Sequence, residues 1–175
     1  MNISLTHNNI QKNWNALYVN SRAEKKVFEL LLLKNIEAYV PIIKTMRQWS
    51  DRKKLVELPL INGYVFVHIY EADRERVLQT RGVVNFVRYS GKIANIQDRE
   101  MQQLKQVVEL GYHLEANPID RDFKEGEKVK INFGPLKNFE GYIIGKSQKN
   151  NFEISLAGIG YSVKVRLPQD MLETA

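Results

Sequence analysis

The hydrophobic period of this chain changes partway along, and that change constrains the fold more than any single motif. Up to about residue 110 apolar residues recur at mixed spacings, helical in some stretches and strand-like in others. Beyond residue 123 the period is two. Val129, Ile131 and Phe133 alternate with Lys128, Lys130 and Asn132, and Val163, Val165 and Leu167 alternate with Ser162, Lys164 and Arg166. Such alternation marks half-buried strands. With "FEGYIIGKS" and "NFEISLA" between them, this segment holds about four or five short strands, which suits a small SH3-like barrel. Turns are expected at Asn150-Asn151 and Gly158 to Gly160, and a closing helical turn at Pro168 to Met171.

The earlier part reads as β-α-β-β-α-β-α. "WNALYVN" (Trp14 to Asn20) is a strand, and Ser21 and Glu24 form an S-x-x-E capping box for a helix running to Asn35. Two extended segments, "IEAYVPIIKTMRQWS" and "KLVELPLINGYVFVHI", form a long hairpin with a basic tip at Asp51 to Lys54. Asp73 to Thr80 is a short helix, "GVVNFVRY" a strand, and "IQDREMQQLKQVVEL" a helix with Asp98 as N-cap. Hairpin-joined strands with crossover helices predict an α+β domain over 12–110, built on a mostly antiparallel four-stranded sheet. Residues 111–122, "GYHLEANPIDRD", lack periodicity and read as a flexible linker, and 123–175 forms the barrel.

Composition excludes several classes of function. At 175 residues and 43% apolar content the chain can bury a core without staples, and it contains no cysteine. Disulfides, thiolate zinc sites and cysteine nucleophiles are therefore excluded, and an intracellular protein is expected. The polar start "MNISLTHNNIQKN" and the short apolar run Leu30 to Leu33 predict a soluble, cytoplasmic chain with no membrane contact. His7, His68 and His113 stand apart without metal-ligand spacing, and no P-loop, G-x-G-x-x-G or G-x-S-x-G occurs. Binding without catalysis, metal or cofactor is the expectation.

The net charge of +6 is unevenly placed. Residues 1–109 hold 17 Lys/Arg against 11 Asp/Glu, and residues 110–175 hold 9 against 9. The first part is thus the candidate polyanion surface, against the alternative of a mildly basic soluble protein. The hairpin carries Lys44, Arg47, Arg52, Lys53 and Lys54 and reads either as an arm reaching phosphates or as a solvated turn. Lys25 and Lys26, with Arg74, Arg76 and Arg81, form a basic rim if their elements lie side by side. In "GYVFVHI", Val65, Val67 and Ile69 share one face, toward helices, and Tyr64, Phe66 and His68 share the other. Two readings stand for the aromatic face: a partly exposed interface, or a second core layer under a third helix.

These segments resemble a known family. The Trp-containing strand, the helix, the basic hairpin, "PLINGYVFVHI" and "TRGVVNFVRYSGKIANI" resemble the N-terminal (NGN) domain of NusG-type transcription elongation factors, and "FKEGEKVKINFGPLKNFEGYI" resembles a KOW domain. The wording is closest to RfaH-like and UpxY-type antiterminators of capsular-polysaccharide operons, with housekeeping NusG and a ribosomal-type RNA-binding KOW protein as alternatives. The resemblance implies a monomeric factor that binds RNA polymerase, suppresses pausing or termination and recruits a partner through its KOW domain. It places the contact with the polymerase clamp helices on Tyr18, Tyr64 and Phe66. Contacts to upstream or non-template DNA fall on the helix of Lys25 and Lys26 and on Thr80 and Arg81, with Arg74 and Arg76 beside them and Arg52, Lys53 and Lys54 on the hairpin. In RfaH the place of Asp73 to Arg76 meets the polymerase gate loop, where this chain has a charged "DRER". Phe133, Gly134, Pro135 and Phe139 fall where KOW domains of this type meet protein partners, with ribosomal protein S10 or Rho as candidates. For Phe139 simple barrel packing is the alternative. Gly134-Pro135 reads as a tight turn and Gly141 as a site of close strand approach.

Overall fold

The computed structural model describes residues 11–48, 51–89, 91–119, 127–131, 134–143 and 151–166. In chain order the elements are β1 (Asn13–Val19), α1 (Glu24–Leu33), β2 (Glu37–Tyr39), β3 (Ile42–Gln48), β4 (Lys53–Pro59), β5 (Tyr64–Ile69), α2 (Arg74–Leu78), β6 (Val83–Phe86), β7 (Arg88–Tyr89), β8 (Lys92–Ile93), β9 (Asn95–Ile96), α3 (Asp98–Glu109), β10 (His113–Pro118), β11 (Glu127–Lys130), β12 (Glu140–Ile143), β13 (Asn151–Leu156) and β14 (Tyr161–Arg166). The architecture is α+β, with two principal antiparallel sheets.

The first sheet has the strand order β2-β5-β1-β6, with β9 also paired to β1. Both faces of β5 are covered, and its alternation divides the side chains between them. Val65, Val67 and Ile69 join Val27 and Leu31 of α1 and Val77 of α2 in one apolar cluster. Tyr64 and Phe66 join Trp14 and Ala16 in a second cluster with Met101, Leu104 and Val107 of α3. The hairpin β3–β4 is a separate two-stranded ribbon, in continuous register from Ile42↔Pro59 to Gln48↔Lys53. It begins later than the expected hairpin, because Glu37–Tyr39 pairs with β5 instead.

Both expected helix caps are displaced by one or two residues. Ala23, not Ser21, occupies the N-cap of α1, without a side-chain cap. Glu24 is instead buried and accepts a 2.7 Å hydrogen bond from the Gly63 N–H. Gly63 turns at φ 78°, and the carboxylate satisfies a donor that the turn leaves without a strand partner. At α3 the capping box belongs to Gln97 and Glu100, with Asp98 inside the first turn.

The second sheet runs β10-β14-β13-β12-β11, every pairing antiparallel. Four of its strands fall in the segments expected as short strands. The fifth corrects the linker reading: β10 lies inside the expected 111–122 linker, yet each residue from His113 to Pro118 pairs with β14. A strand of "HLEANP" has no alternation to announce it, since only Leu114 is deeply buried. Register with Tyr161–Arg166 creates the strand. Residues 120–122, Phe133 and the closing turn expected at 168–171 lie outside the described residues. A 3-10 turn at Ala157–Ile159 ends in Gly160 at φ 67° and joins β13 to β14.

The two sheets share one core. Leu136, Phe139, Phe152, Ile154, Leu156, Val163 and Val165 belong to the same apolar cluster as Trp14, Phe66 and the buried side of α3. Burying that much aliphatic and aromatic surface is the dominant favourable term in the packing.

Candidate functional site

The boundary between the sheets contains most of the residues expected to bind proteins. Tyr18 and Tyr64 are register partners on β1 and β5. Their hydroxyls hydrogen-bond at 3.1 Å and their rings meet edge to face with centroids 4.9 Å apart. Tyr18 is 42% exposed, whereas Tyr64 is 6% and Phe66 0% exposed. The expectation of a partly exposed aromatic face is thus corrected for Tyr64 and Phe66. α3 and the second sheet cover them, and Tyr161 at the start of β14 packs on Tyr64 at 5.4 Å between centroids. Burial, followed by the hydrogen bond with Tyr18, pushes the Tyr64 phenol far above its ordinary range, so it is a neutral hydroxyl at any physiological pH. Beside it, Lys105 lies 4.3 Å from the centre of the Trp14 ring, which stacks on His68, and 5.4 Å from Tyr39. Tyr39 is raised to about 12 by burial and by Glu109.

The loop expected to recruit a partner is also covered. Phe139 is 8% exposed and Leu136 fully buried, which corrects the reading of Phe139 as an exposed docking residue in this arrangement. Gly134 turns at φ 77° and Asn138 at φ 71°. The Asn138 N–H bonds to Ile131 O at 2.7 Å, and Ile131 N–H to Phe139 O at 2.9 Å. The turn thereby folds back on its own strand and aims Leu136 and Phe139 into the shared core. Gly134 and Pro135 are themselves exposed.

Helix α3 holds this loop through polar contacts. Gln106 Nε2 donates to Pro135 O at 2.6 Å, Gln103 Nε2 donates to Glu140 O at 3.4 Å, and Arg99 pairs with the Glu140 carboxylate at 3.2 Å. Glu100 accepts from Gln97 N–H at 3.1 Å and from Ala157 N–H at 3.4 Å, so one carboxylate caps α3 and grips the turn of the second sheet. Burial raises its pKa, and those two backbone donors act against the rise. None of these cross-sheet residues stands out in the sequence. Each lies far along the chain from its partner on the second sheet, and the cap expected for α3 was Asp98.

The basic residues divide into a usable surface and a structural one. Lys25, Lys26, Arg52, Lys53, Lys54, Arg76 and Arg81 are exposed and Arg74 is half-buried. Lys25 reaches Glu57 of the hairpin at 3.1 Å, Lys26 pairs with Glu29 at 3.4 Å, and Arg52 lies 3.9 Å from Asp51. Arg74 and Arg76 pair with Glu71 and Asp73 at 2.5 and 3.6 Å. The charged "DRER" segment thus largely neutralises itself. Thr80, expected as a DNA contact, is 3% exposed, a correction with a clear cause. Its Oγ1 accepts from Lys34 Nζ at 2.8 Å, and Arg76 donates to Lys34 O at 3.1 Å, so Thr80 ties α2 to the end of α1. Among the described residues no cluster of His, Asp and Glu could hold a metal ion, and no helix is long and apolar enough to cross a membrane.

The chain is similar to known proteins over most of its length. The chain is 25% identical over 179 residues to the transcription termination/antitermination protein NusG of Borreliella burgdorferi, covering 91% of this chain and 97% of the relative. It is 28% identical over 141 residues to the NusG of Neisseria meningitidis serogroup B, covering 77% and 76%. A solved structure described as domain interaction in Thermotoga maritima NusG matches with 24% identity, 93% and 96% coverage and a TM-score of 0.49. Residues 12–105 match the model of the family described as "Transcription termination factor nusG". These residues include the first sheet, the β3–β4 ribbon, α1, α2 and most of α3, and the chain belongs to the NusG family of transcription termination and antitermination factors.

Proposed function

We propose that this chain is an operon-specific antiterminator of capsular-polysaccharide type, acting through two modules. An NGN-type domain over 12–110 docks on the clamp helices of RNA polymerase, and an SH3-like KOW module over 123–175 recruits ribosomal protein S10 or Rho. The observation that carries the docking surface is the Tyr18–Tyr64 pair: an exposed phenol hydrogen-bonded to one that α3 and the second sheet conceal. Amphipathic aromatics of this kind are the side chains that anchor protein interfaces. The operon-specific role is supported by the wording of "PLINGYVFVHI" and "TRGVVNFVRY". Upstream or non-template DNA is held by Lys25, Lys26, Arg52, Lys53, Lys54 and Arg81, while Thr80 positions α2 from within. The balanced charge of residues 110–175 favours a protein partner over RNA for the second module.

Docking has a conformational requirement. Tyr64 and Phe139 belong to the same intramolecular core, so neither is open to a partner while the sheets are packed together. Binding of polymerase therefore has to compete with that packing, and the apparent affinity is reduced by the fraction of molecules that are closed. The test is a pull-down with purified cognate RNA polymerase. Tyr18→Ala, at an exposed position, folds normally and weakens binding by roughly tenfold, the scale of an interface anchor. Unchanged binding by Tyr18→Ala, together with unchanged binding by Tyr64→Ala in a chain shown to be folded, would rule out this surface.

A further inference from the structure

Two exposed arginines, Arg22 and Arg47, open onto one cleft. The cleft, of about 680 Å³, lies between the start of α1, the β3–β4 ribbon and the turn before β5. Among the described residues no carboxylate lies within ion-pair distance of either arginine. The two carboxylates that line the cleft are already engaged. Glu24 accepts the Gly63 N–H at 2.7 Å, and Glu57 pairs with Lys25 at 3.1 Å. Arg22 sits at φ 63° in a turn closed by the Ala23 N–H on Asn20 O at 2.9 Å, so the backbone that carries it is held in place. On the ribbon Arg47 stands directly across from Lys54. Opposed cations repel across a strand pair, and a bound anion offsets that cost.

The rest of the lining is more than a bare anion requires. Ile43, Leu58 and Pro59 are half-buried and give the cleft an apolar floor, and the exposed Ser21 and Asn62 add a hydroxyl and an amide. Guanidinium forks match phosphoryl oxygens with paired hydrogen bonds. Apolar side chains seat the face of a base, and an amide can bond to its edge. The volume falls in the range of small-ligand sites, about 300–1,000 Å³. Successive phosphates of a nucleic-acid strand are separated by a sugar, whereas those of a diphosphate share one oxygen, which suits two forks opening onto a single cleft. We propose that this cleft binds a free nucleoside diphosphate, with Arg22 and Arg47 on its phosphoryl groups and the base on Ile43, Leu58 and Pro59 beside Asn62. Bound there, the nucleotide ties the ribbon to α1 in parallel with the Lys25–Glu57 pair, so occupancy fixes the ribbon against the helix. A phosphate of a DNA strand shares part of this chemistry, and the test separates the two sources.

The experiment is isothermal titration calorimetry of the full chain at low salt, without polymerase. The titrants are ADP, GDP, AMP, pyrophosphate, adenosine and a short single-stranded oligonucleotide. ADP or GDP binds about tenfold or more tightly than AMP and than pyrophosphate, and adenosine alone does not bind. Arg47→Gln weakens the nucleoside diphosphates about tenfold, the scale of one lost charge-assisted contact. Arg22→Asn does the same, asparagine being tolerant of the left-handed backbone at that position. Asn62→Ala weakens the nucleoside diphosphates and leaves pyrophosphate unchanged. All three positions are exposed, so circular dichroism melting should match the native chain. The inference is overturned if no nucleotide binds at millimolar concentration, if pyrophosphate binds as tightly as ADP and GDP, or if any of the three variants binds the nucleoside diphosphates like the native chain. Binding of the oligonucleotide alone, with the same dependence on Arg22 and Arg47, assigns the arginines to DNA and overturns it as well. Polymerase takes no part, so the result is independent of whether the Tyr18–Tyr64 surface docks on it.

Discussion

A Cβ added at Gly141 would lie 2.4 Å from Glu153 O and 2.5 Å from the Phe152 ring, both inside the second sheet. At Gly158 the same added atom would lie 2.4 Å from Asn95 O, which belongs to the first sheet region. The two glycines therefore report on different things. Gly141→Ala should destabilise the second sheet itself, by about 1–3 kcal/mol as an overpacked site, seen as a lower urea midpoint for its unfolding. Gly158→Ala should leave both sheets folded and push them apart. Hydrogen exchange would show faster exchange over α3 with β13 and β14 still protected. Loss of protection in β13 and β14 would instead mean that Gly158 is needed for the sheet. Sequence reading found the close approach at Gly141 because a small glycine interrupts a strand pattern. It took Gly158 only as a turn residue, because the atom that forbids a side chain there lies 63 positions earlier in the chain.

Among the elements, β10 has the weakest signal of its own and the most complete pairing. All six of its residues are in register with β14, and it forms an edge of the second sheet. An antiparallel edge strand directs every second N–H toward its neighbour. Amides of 113–117 should accordingly alternate between slow and fast exchange, in phase with β14, Pro118 having none. Uniformly fast exchange across all five would return the segment to a linker. The β3–β4 ribbon is the opposite case, since its length and charge were plain from the sequence. Met46 and Leu55 were also visible in the letters, but their exposure depends on the ribbon standing outside both principal sheets.

At the scale of the whole molecule, packing of one sheet against the other controls which surfaces are available. The Arg99–Glu140 ion pair spans that boundary at 3.2 Å, with about half of the Arg99 side chain exposed. Such a pair contributes at most about 1 kcal/mol. Arg99→Glu should therefore shift the balance toward separation by up to about fivefold, raising polymerase affinity and increasing the radius of gyration in X-ray scattering. Combining it with Glu140→Arg should restore both values. A double variant that stays open would assign the single-variant effect to α3 rather than to the pair.

The sequence alone determined the α+β class, the change to period-two strands, the two faces of β5 and the basic hairpin. Each of these depends on side-chain spacing along one local stretch, where strand and helix periods are directly legible. The tertiary structure decided the rest: that Tyr64, Phe66 and Phe139 are buried, that Thr80 binds Lys34, and that "HLEANP" is a strand. Whether an aromatic face is exposed depends on what packs over it, and here the cover comes from residues 98–166, remote in sequence and brought back by burial of one shared core.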